Sequence, residues 1–180
     1  MESVRARCGC ETRLRSLSRL RSAALYEGPI ELAVRRFKYD GWRRLAAPLG
    51  ELLAERIVAE GLAAGWAVAV PLHPSRERAR GFNQSELLAR CIRASLRLAA
   101  PPGRLRRVRA TPQQVGHDRL WRRQNVDGAF KWEGENLDRR PILLIDDVAT
   151  TGATLDACAA ALKSAGAGPV MGATVARVAL

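Results

Sequence analysis

Two adjacent carboxylates, Asp146 and Asp147, are the residues of this sequence best suited to chemistry, because they directly follow four aliphatic residues, 142–145. Such an apolar run is typical of a strand buried in a parallel sheet, and ligands bind at the carboxyl edge of such a sheet. We therefore predict a strand over 142–145 and a loop over 146–154. Once the chain leaves the strand, the carboxylates can take different parts, and one or both can accept hydrogen bonds from a vicinal diol.

A segment of small and hydroxyl-bearing residues follows the acidic pair and leads into a predicted helix over 155–165. It comprises Ala149, Thr150, Thr151, Gly152, Ala153 and Thr154. Hydroxyls and backbone N–H groups at the start of a helix suit a dianionic phosphate. Each half has a structural alternative, since an aspartate can merely cap a strand and such a turn can merely begin a helix. Their combination predicts a ribose 5-phosphate site over 142–154, and the sequence lacks the Walker and dinucleotide-binding glycine motifs.

The elements that must position this site follow a βα pattern. Helical spacing of apolar residues begins after Gly28-Pro29, over 45–62 and over 83–96, and short apolar runs predict strands over 66–70 and 170–175. A strand, a helix and a further strand over 137–180 form a predicted βαβ unit. The fold class predicted is therefore α/β, with a central, mainly parallel sheet flanked by helices.

Basic residues are concentrated in two segments of a chain whose formal charge is +12. The loop 71–81 carries arginines that can neutralise a pyrophosphate or simply be solvated. The segment 104–123 holds seven arginines against one acid and is predicted to be mobile, either as a flap over the substrate or as a nucleic-acid contact. The charge favours anionic partners, although arginine outnumbers lysine 27 to 3, which genome base composition can also explain.

The start of the chain carries little apolar patterning. Residues 1–25 hold six arginines against two glutamates, so we predict a loosely packed basic lead-in, with globular order beginning near Tyr26. Cys8 and Cys10 lack a second cysteine pair, so a zinc site is not expected from spacing. The sequence has neither an apolar secretory signal nor a membrane-spanning run, which predicts a cytoplasmic protein without membrane insertion.

The strand, the acidic pair and the Thr-Thr-Gly-x-Thr turn resemble the fingerprint of type I phosphoribosyltransferases, which use phosphoribosyl pyrophosphate with magnesium. Further motifs, in order and spacing, resemble the ComF competence family over residues 26–180. They lie at 26–30, 37–39, 70–74, 80–84, Gln114, 123–125 and 128–130. Members of that family usually begin with a zinc ribbon, so residues 1–25 are interpreted as its remnant and 26–180 as a phosphoribosyltransferase-like domain.

This resemblance implies roles for individual residues. Asp146 and Asp147 would hold the ribose 2- and 3-hydroxyls, and 149–154 would wrap the 5-phosphate. Mg²⁺ would arrive with the substrate, without a protein metal site. The pyrophosphate-binding residues implied by this resemblance are Leu72, His73, Arg76 and Arg80, although a histidine between prolines can equally be structural. Lys38 follows an apolar helix and is predicted to reach a phosphate, with an ordinary surface lysine as the alternative.

The resemblance also implies the type I phosphoribosyltransferase fold with a mobile basic flap, and support of DNA uptake in natural transformation. Expected partners are phosphoribosyl pyrophosphate, single-stranded DNA and the DNA-uptake machinery, and a homodimer is left open. The acceptor is not predicted. Two alternatives remain at this point: a stand-alone nucleobase-salvage phosphoribosyltransferase, and a sensor that binds phosphoribosyl pyrophosphate without turnover.

Overall fold

The computed structural model describes residues 14–109, 126 and 128–179. The described strands are β1 (Arg19–Leu25), β2 (Trp66–Ala69), β3 (Gly103–Arg107), β4 (Phe130–Gly134), β5 (Ile142–Ala149) and β6 (Val170–Arg177). The described helices are α1 (Gly28–Tyr39), α2 (Ala46–Ala59), α3 (Pro74–Arg80), α4 (Gln84–Leu96) and α5 (Ala153–Ser164), and a 3-10 turn spans Arg43–Leu45. Within these ranges no helix is long and apolar enough to cross a membrane.

The central sheet has the order β1-β6-β5-β2, and its neighbouring strands are all parallel. The carboxyl ends of these strands therefore meet at one edge of the sheet. Strands β3 and β4 form a separate antiparallel pair. The predicted α/β class with a mainly parallel sheet is confirmed.

Strand β5 lies at the centre of the core and is buried on both faces. Ile142 and Leu144 belong to the apolar cluster that includes residues of α5 and of the β3–β4 pair. Leu143 and Ile145 belong to the cluster formed with α1, α2 and α4. All four side chains are fully buried, and each contributes about 1.5–3 kcal/mol relative to an exposed position. Burial on both faces explains why the sequence shows a continuous aliphatic run rather than alternation.

The start of the domain differs from the sequence-based expectation. Residues Arg19–Leu25 form β1, which pairs with β6 in the central sheet. Leu17 is buried, and Leu14 and Leu20 pack against the same core. The expectations of a loosely packed lead-in through residue 25, and of order beginning near Tyr26, are therefore wrong for residues 14–25. The sequence of β1 lacks a clear strand pattern because β1 lies at the edge of the sheet and is only partly buried, which leaves room for arginines.

Two further predictions concern Cys8 with Cys10 and the loop after β2. Cys8 and Cys10 are outside the described residues, so the zinc-ribbon interpretation stays a prediction. The loop predicted over 71–81 contains the short helix α3. Its start is stabilised by Pro74 at the first helical position and by the His73 side chain, which accepts a hydrogen bond from the Ser75 N–H.

Candidate functional site

Strand β5 carries both carboxylates to the carboxyl edge of the sheet and ends only at Ala149. The predicted strand end at residue 145 is therefore wrong, because pairing with β6 continues through Asp146 opposite Thr174 and Val148 opposite Ala176. Asp146 and Asp147 already contact different partners inside the strand. The expectation that they separate only after the chain turns is wrong as well.

Asp146 is held by donors from two elements. The Ser85 hydroxyl, at the start of α4, donates to Asp146 Oδ1 at 2.7 Å, and the Asp147 N–H donates to the same oxygen at 2.9 Å. Burial raises the pKa of Asp146 to about 7, and the negative charge of Asp147 adds to this effect. The Ser85 hydrogen bond and the charge of Lys38 act in the opposite direction. Asp146 therefore titrates close to neutral pH.

Asp147 forms an ion pair with Lys38 from the last turn of α1, with 3.0 Å between Lys38 Nζ and Asp147 Oδ2. The side chain of Asp147 is 4% exposed and that of Lys38 18%. Burial lowers the pKa of Lys38, but the negative charges of Asp147 and Asp146 outweigh this and raise it above its usual value. The lysine thus stays protonated beside the acidic pair. The structure brings Lys38 to this site, while its predicted contact with pyrophosphate stays a prediction.

The turn after β5 places the amino terminus of α5 next to the acidic pair. Gly152 has φ 75°, which favours glycine, and it precedes the first residue of the helix. Thr151 Oγ1 accepts a hydrogen bond from the Ala153 N–H at 3.4 Å. The helix begins at Ala153, two residues before the predicted start. The predicted phosphate segment therefore combines the end of β5, a tight turn and the positive end of a helix dipole.

The loop after β2 lies alongside this edge, because the Val70 N–H donates to the Ile145 carbonyl at 2.9 Å. Of the predicted pyrophosphate residues, Leu72 and His73 lie in this loop, whereas Arg76 and Arg80 lie on α3. His73 Nδ1 lies 2.7 Å from Ser75 Oγ, so its ring takes part in capping α3. These positions make the loop a neighbour of the acidic pair, and the pyrophosphate contacts stay a prediction.

Arg80 and Ser85 show how the segment after this loop is held. Arg80 donates a hydrogen bond to Gln84 Oε1 and lies over the ring of Tyr39. Ser85 lies at the start of α4, where it is 1% exposed and contacts Asp146, and it was not among the predicted site residues. The feature of the sequence that could have indicated the position of Ser85 is Asn83, which caps α4. Its Oδ1 accepts a hydrogen bond from the Ser85 N–H, and its side-chain amide donates one to the Val70 carbonyl.

The basic segment 104–123 is only partly described. Residues 104–107 belong to β3, and residues 110–125 lie outside the described part of the chain, so the flap stays a prediction. Arg104 and Arg106 form ion pairs with Glu133 of β4 at 3.2 and 3.1 Å. Part of the positive charge of this segment is therefore compensated within its own strand pair.

Fold and site together define an α/β protein whose parallel sheet presents two carboxylates, a lysine and a helix amino terminus at one edge. No family model matches the chain. The chain is 33% identical over 157 residues to the DNA utilization protein YhgH of Salmonella typhi, covering 84% of this chain and 69% of that protein. It is 30% identical over 149 residues to Competence protein F of Haemophilus influenzae, covering 78% and 65%.

A third relative is Competence protein ComFC of Bacillus subtilis, which is 32% identical over 99 residues and aligns with 55% of this chain and 38% of its own. The chain belongs to the ComF competence family. The family assignment predicted from the sequence motifs is thereby confirmed.

Proposed function

We propose that this protein binds phosphoribosyl pyrophosphate with Mg²⁺ at the carboxyl edge of β5, within a type I phosphoribosyltransferase fold. The observation that carries the proposal is the continuity of strand, acidic pair, tight turn and helix over 142–164. Carboxylates that accept from a diol and a helix amino terminus that attracts a phosphate are adjacent in this unit. Ribose 5-phosphate carries a vicinal diol and a phosphate in one molecule.

The acidic pair would bind the ribose through its hydroxyls. Asp146 and Asp147 would accept hydrogen bonds from the 2- and 3-hydroxyls, and ionised carboxylates would accept them most strongly. Lys38 places its positive charge 3.0 Å from Asp147 Oδ2, beside the acidic pair. The 5-phosphate would lie against 149–154, where backbone N–H groups and threonine hydroxyls can donate.

Magnesium fits this set of residues if it arrives on the substrate. Mg²⁺ dehydrates reluctantly and is commonly held by one or two carboxylates together with substrate phosphates. Among the described residues, no group of three or more His, Cys, Asp and Glu side chains could hold a metal ion. The acidic pair would contribute carboxylate oxygens to an ion held mainly by substrate phosphates, and that ion would neutralise negative charge on the pyrophosphate.

In a transfer reaction, pyrophosphate would leave ribose C1 and an acceptor would take its place. The protein would contribute positioning and electrostatics, because positive character develops on the ring and negative charge on the leaving group. Leu72, His73, Arg76 and Arg80 are the proposed pyrophosphate-binding residues, since their loop and α3 lie beside the edge of β5.

We further propose that this site serves DNA uptake in natural transformation. Relatives that cover most of the chain are named for DNA utilization and for competence. A basic chain of formal charge +12 suits single-stranded DNA as a partner. The ligand site would then either modify a component of this process or report the supply of phosphoribosyl pyrophosphate to it.

Isothermal titration calorimetry with phosphoribosyl pyrophosphate and MgCl₂ tests the central proposal. The double variant Asp146→Asn/Asp147→Asn should bind at least about tenfold more weakly, since a hydrogen bond to a charged group contributes about 1.5–3 kcal/mol. Glu51→Gln/Glu55→Gln, two exposed changes on α2 that remove the same formal charge, is the matched control. The absence of binding to the unsubstituted protein would refute the proposal. Pyrophosphate release on addition of candidate bases then distinguishes a transferase from a sensor.

A further inference from the structure

Aromatic rings and arginines share an exposed surface where α1 ends. Tyr39 is 66% exposed and Trp42 36%. The guanidinium carbons of Arg36 and Arg44 each lie 4.6 Å from the centroid of the Trp42 ring. The guanidinium carbon of Arg80 lies 5.3 Å from the ring centroid of Tyr39. We call Arg36, Tyr39, Trp42, Arg43, Arg44 and Arg80 the Trp42 surface.

The backbone holds this surface in an ordered turn. Gly41, with φ 69°, reverses the chain after α1, and the Trp42 N–H donates to the Arg36 carbonyl at 3.4 Å. The Trp42 carbonyl in turn accepts from the Leu45 N–H at 3.0 Å. Arg43 donates to the Gly81 carbonyl and lies 4.9 Å from the ring of Phe82, which ties the turn to the segment after α3. The rings are thus presented on a fixed backbone.

The cations of this surface differ from those of the basic segment at 104–106. Arg104 and Arg106 pair with Glu133, as described above. Among residues 14–109, 126 and 128–179, the ion pairs involve none of the arginines of the Trp42 surface. The acid nearest in sequence is Asp40, which is exposed. The surface therefore retains a net positive charge next to exposed rings.

We propose that the Trp42 surface is a docking site for single-stranded DNA, an inference that rests on the proposed role in DNA uptake. Unpaired bases stack on aromatic rings and on guanidinium planes, while arginines meet the phosphates. A duplex hides its base faces, so exposed rings favour the single strand. The arginines already lie over the Trp42 and Tyr39 rings, so a base would stack on the outer plane of a guanidinium that the ring supports, or would displace the guanidinium from the ring towards a phosphate.

This surface is connected to the ribose-phosphate site through α1 and α3. Lys38 contacts Asp147, whereas the next residue, Tyr39, belongs to the Trp42 surface. Arg80 lies over Tyr39 and is also one of the proposed pyrophosphate-binding residues. A strand bound at the Trp42 surface would therefore lie close to the ligand site.

Fluorescence anisotropy with a labelled oligothymidylate tests this proposal on the full chain. Trp42→Leu should weaken binding roughly tenfold, since stacking of a base contributes about that factor or more. Trp42→Phe keeps an aromatic ring and should retain most of the affinity. Arg36→Gln/Arg44→Gln should weaken binding and reduce the slope of log affinity against log salt by about 1.4, at about 0.7 for each phosphate contact.

A matched control removes the same formal charge elsewhere. Arg35→Gln/Arg90→Gln removes two exposed arginines that each face a glutamate one helical turn away, and it should leave affinity within about twofold. The proposal is overturned if the unsubstituted protein does not bind the oligonucleotide, or if Trp42→Phe loses as much affinity as Trp42→Leu. Displacement of the DNA by polyglutamate with equal dependence on Trp42 would overturn it in favour of an acidic protein partner.

Measuring phosphoribosyl pyrophosphate binding on the same proteins separates this proposal from the first. DNA binding that depends on Trp42 in a protein that fails to bind phosphoribosyl pyrophosphate would support the Trp42 surface and refute the ligand site. Loss of DNA binding in Trp42→Leu with unchanged phosphoribosyl pyrophosphate binding supports the surface and shows that the variant is folded.

Discussion

Replacing Ser85 by alanine tests how the acidic pair is tuned. The Ser85 hydroxyl donates to Asp146 Oδ1 at 2.7 Å. This hydrogen bond opposes the effect of burial, and with both effects present the pKa of Asp146 is about 7. A hydrogen bond to a charged group contributes about 1.5–3 kcal/mol, and about 1.4 kcal/mol corresponds to one pKa unit. We therefore expect Ser85→Ala to raise the pKa of Asp146 by about one unit or more.

The sign of the effect on ligand binding follows from the acceptor role of Asp146. The ionised carboxylate accepts hydrogen bonds from a ribose hydroxyl more strongly than the protonated carboxyl does, because charge-assisted hydrogen bonds are about twice as strong as neutral ones, so affinity should rise with pH through the pKa of this group. With a pKa near 7, about half of the unsubstituted protein is ionised at neutral pH, against about a tenth after a shift of one unit. Phosphoribosyl pyrophosphate should bind Ser85→Ala up to about fivefold more weakly at pH 7, the limit reached if only the ionised form binds, and nearly normally at pH 9.

Calorimetric titrations of both proteins from pH 6 to 9 measure this ratio directly, because the ionisation of the ligand affects both proteins equally. Ser18→Ala serves as the control, since it removes a side-chain hydrogen bond of 2.8 Å to Val170 at the opposite edge of the sheet. A ratio of affinities that does not change with pH would refute the reasoning. Ser85 would then position α4 without affecting the ionisation of Asp146.

Three further predictions concern the same site. Asp146→Asn should raise the free energy of unfolding at pH 8 by at most about 4 kcal/mol and change it little below pH 4. Between about pH 4 and 7 the folded protein, whose Asp146 pKa is about 7, keeps a proton that the unfolded chain releases. The free energy of unfolding therefore falls as the pH rises through that window, and asparagine removes this loss. Equal effects of the substitution at both pH values in denaturant titrations would contradict this. Lys38→Met should lower the free energy of unfolding by about 3 kcal/mol, because it leaves the Asp147 carboxylate buried without its cation. Adding Asp147→Asn should recover much of that loss in a double-mutant cycle, whereas additive losses would argue against the ion pair. Gly152→Ala should lower the free energy of unfolding by about 1–2 kcal/mol and weaken phosphoribosyl pyrophosphate binding. The reason is that φ at this position is 75° and the added methyl group would lie 3.2 Å from Leu14. A thermal melt that matches that of the unsubstituted protein would refute this.

Several features of the fold and the site followed from the sequence alone. A continuous aliphatic run, an acidic pair and a hydroxyl-rich turn are local patterns, and they predicted a buried strand, its carboxylates and the helix that follows. The family was also predicted from the order and spacing of its motifs and was confirmed by its relatives. Local patterns suffice here because β5 is buried on both faces, so its residue types are strongly constrained.

Tertiary structure decided which residues the carboxylates contact. Ser85 and Lys38 reach Asp146 and Asp147 from α4 and α1, and nothing near the acidic pair in the sequence indicates these partners. Strand β1 was missed because an edge strand that is only partly buried tolerates arginines between its apolar residues. The sequence by itself determined the chemistry available at the end of β5, whereas the packing of helices on the sheet decided the charge and the protonation of that chemistry, because burial and neighbouring charges depend on contacts between distant parts of the chain.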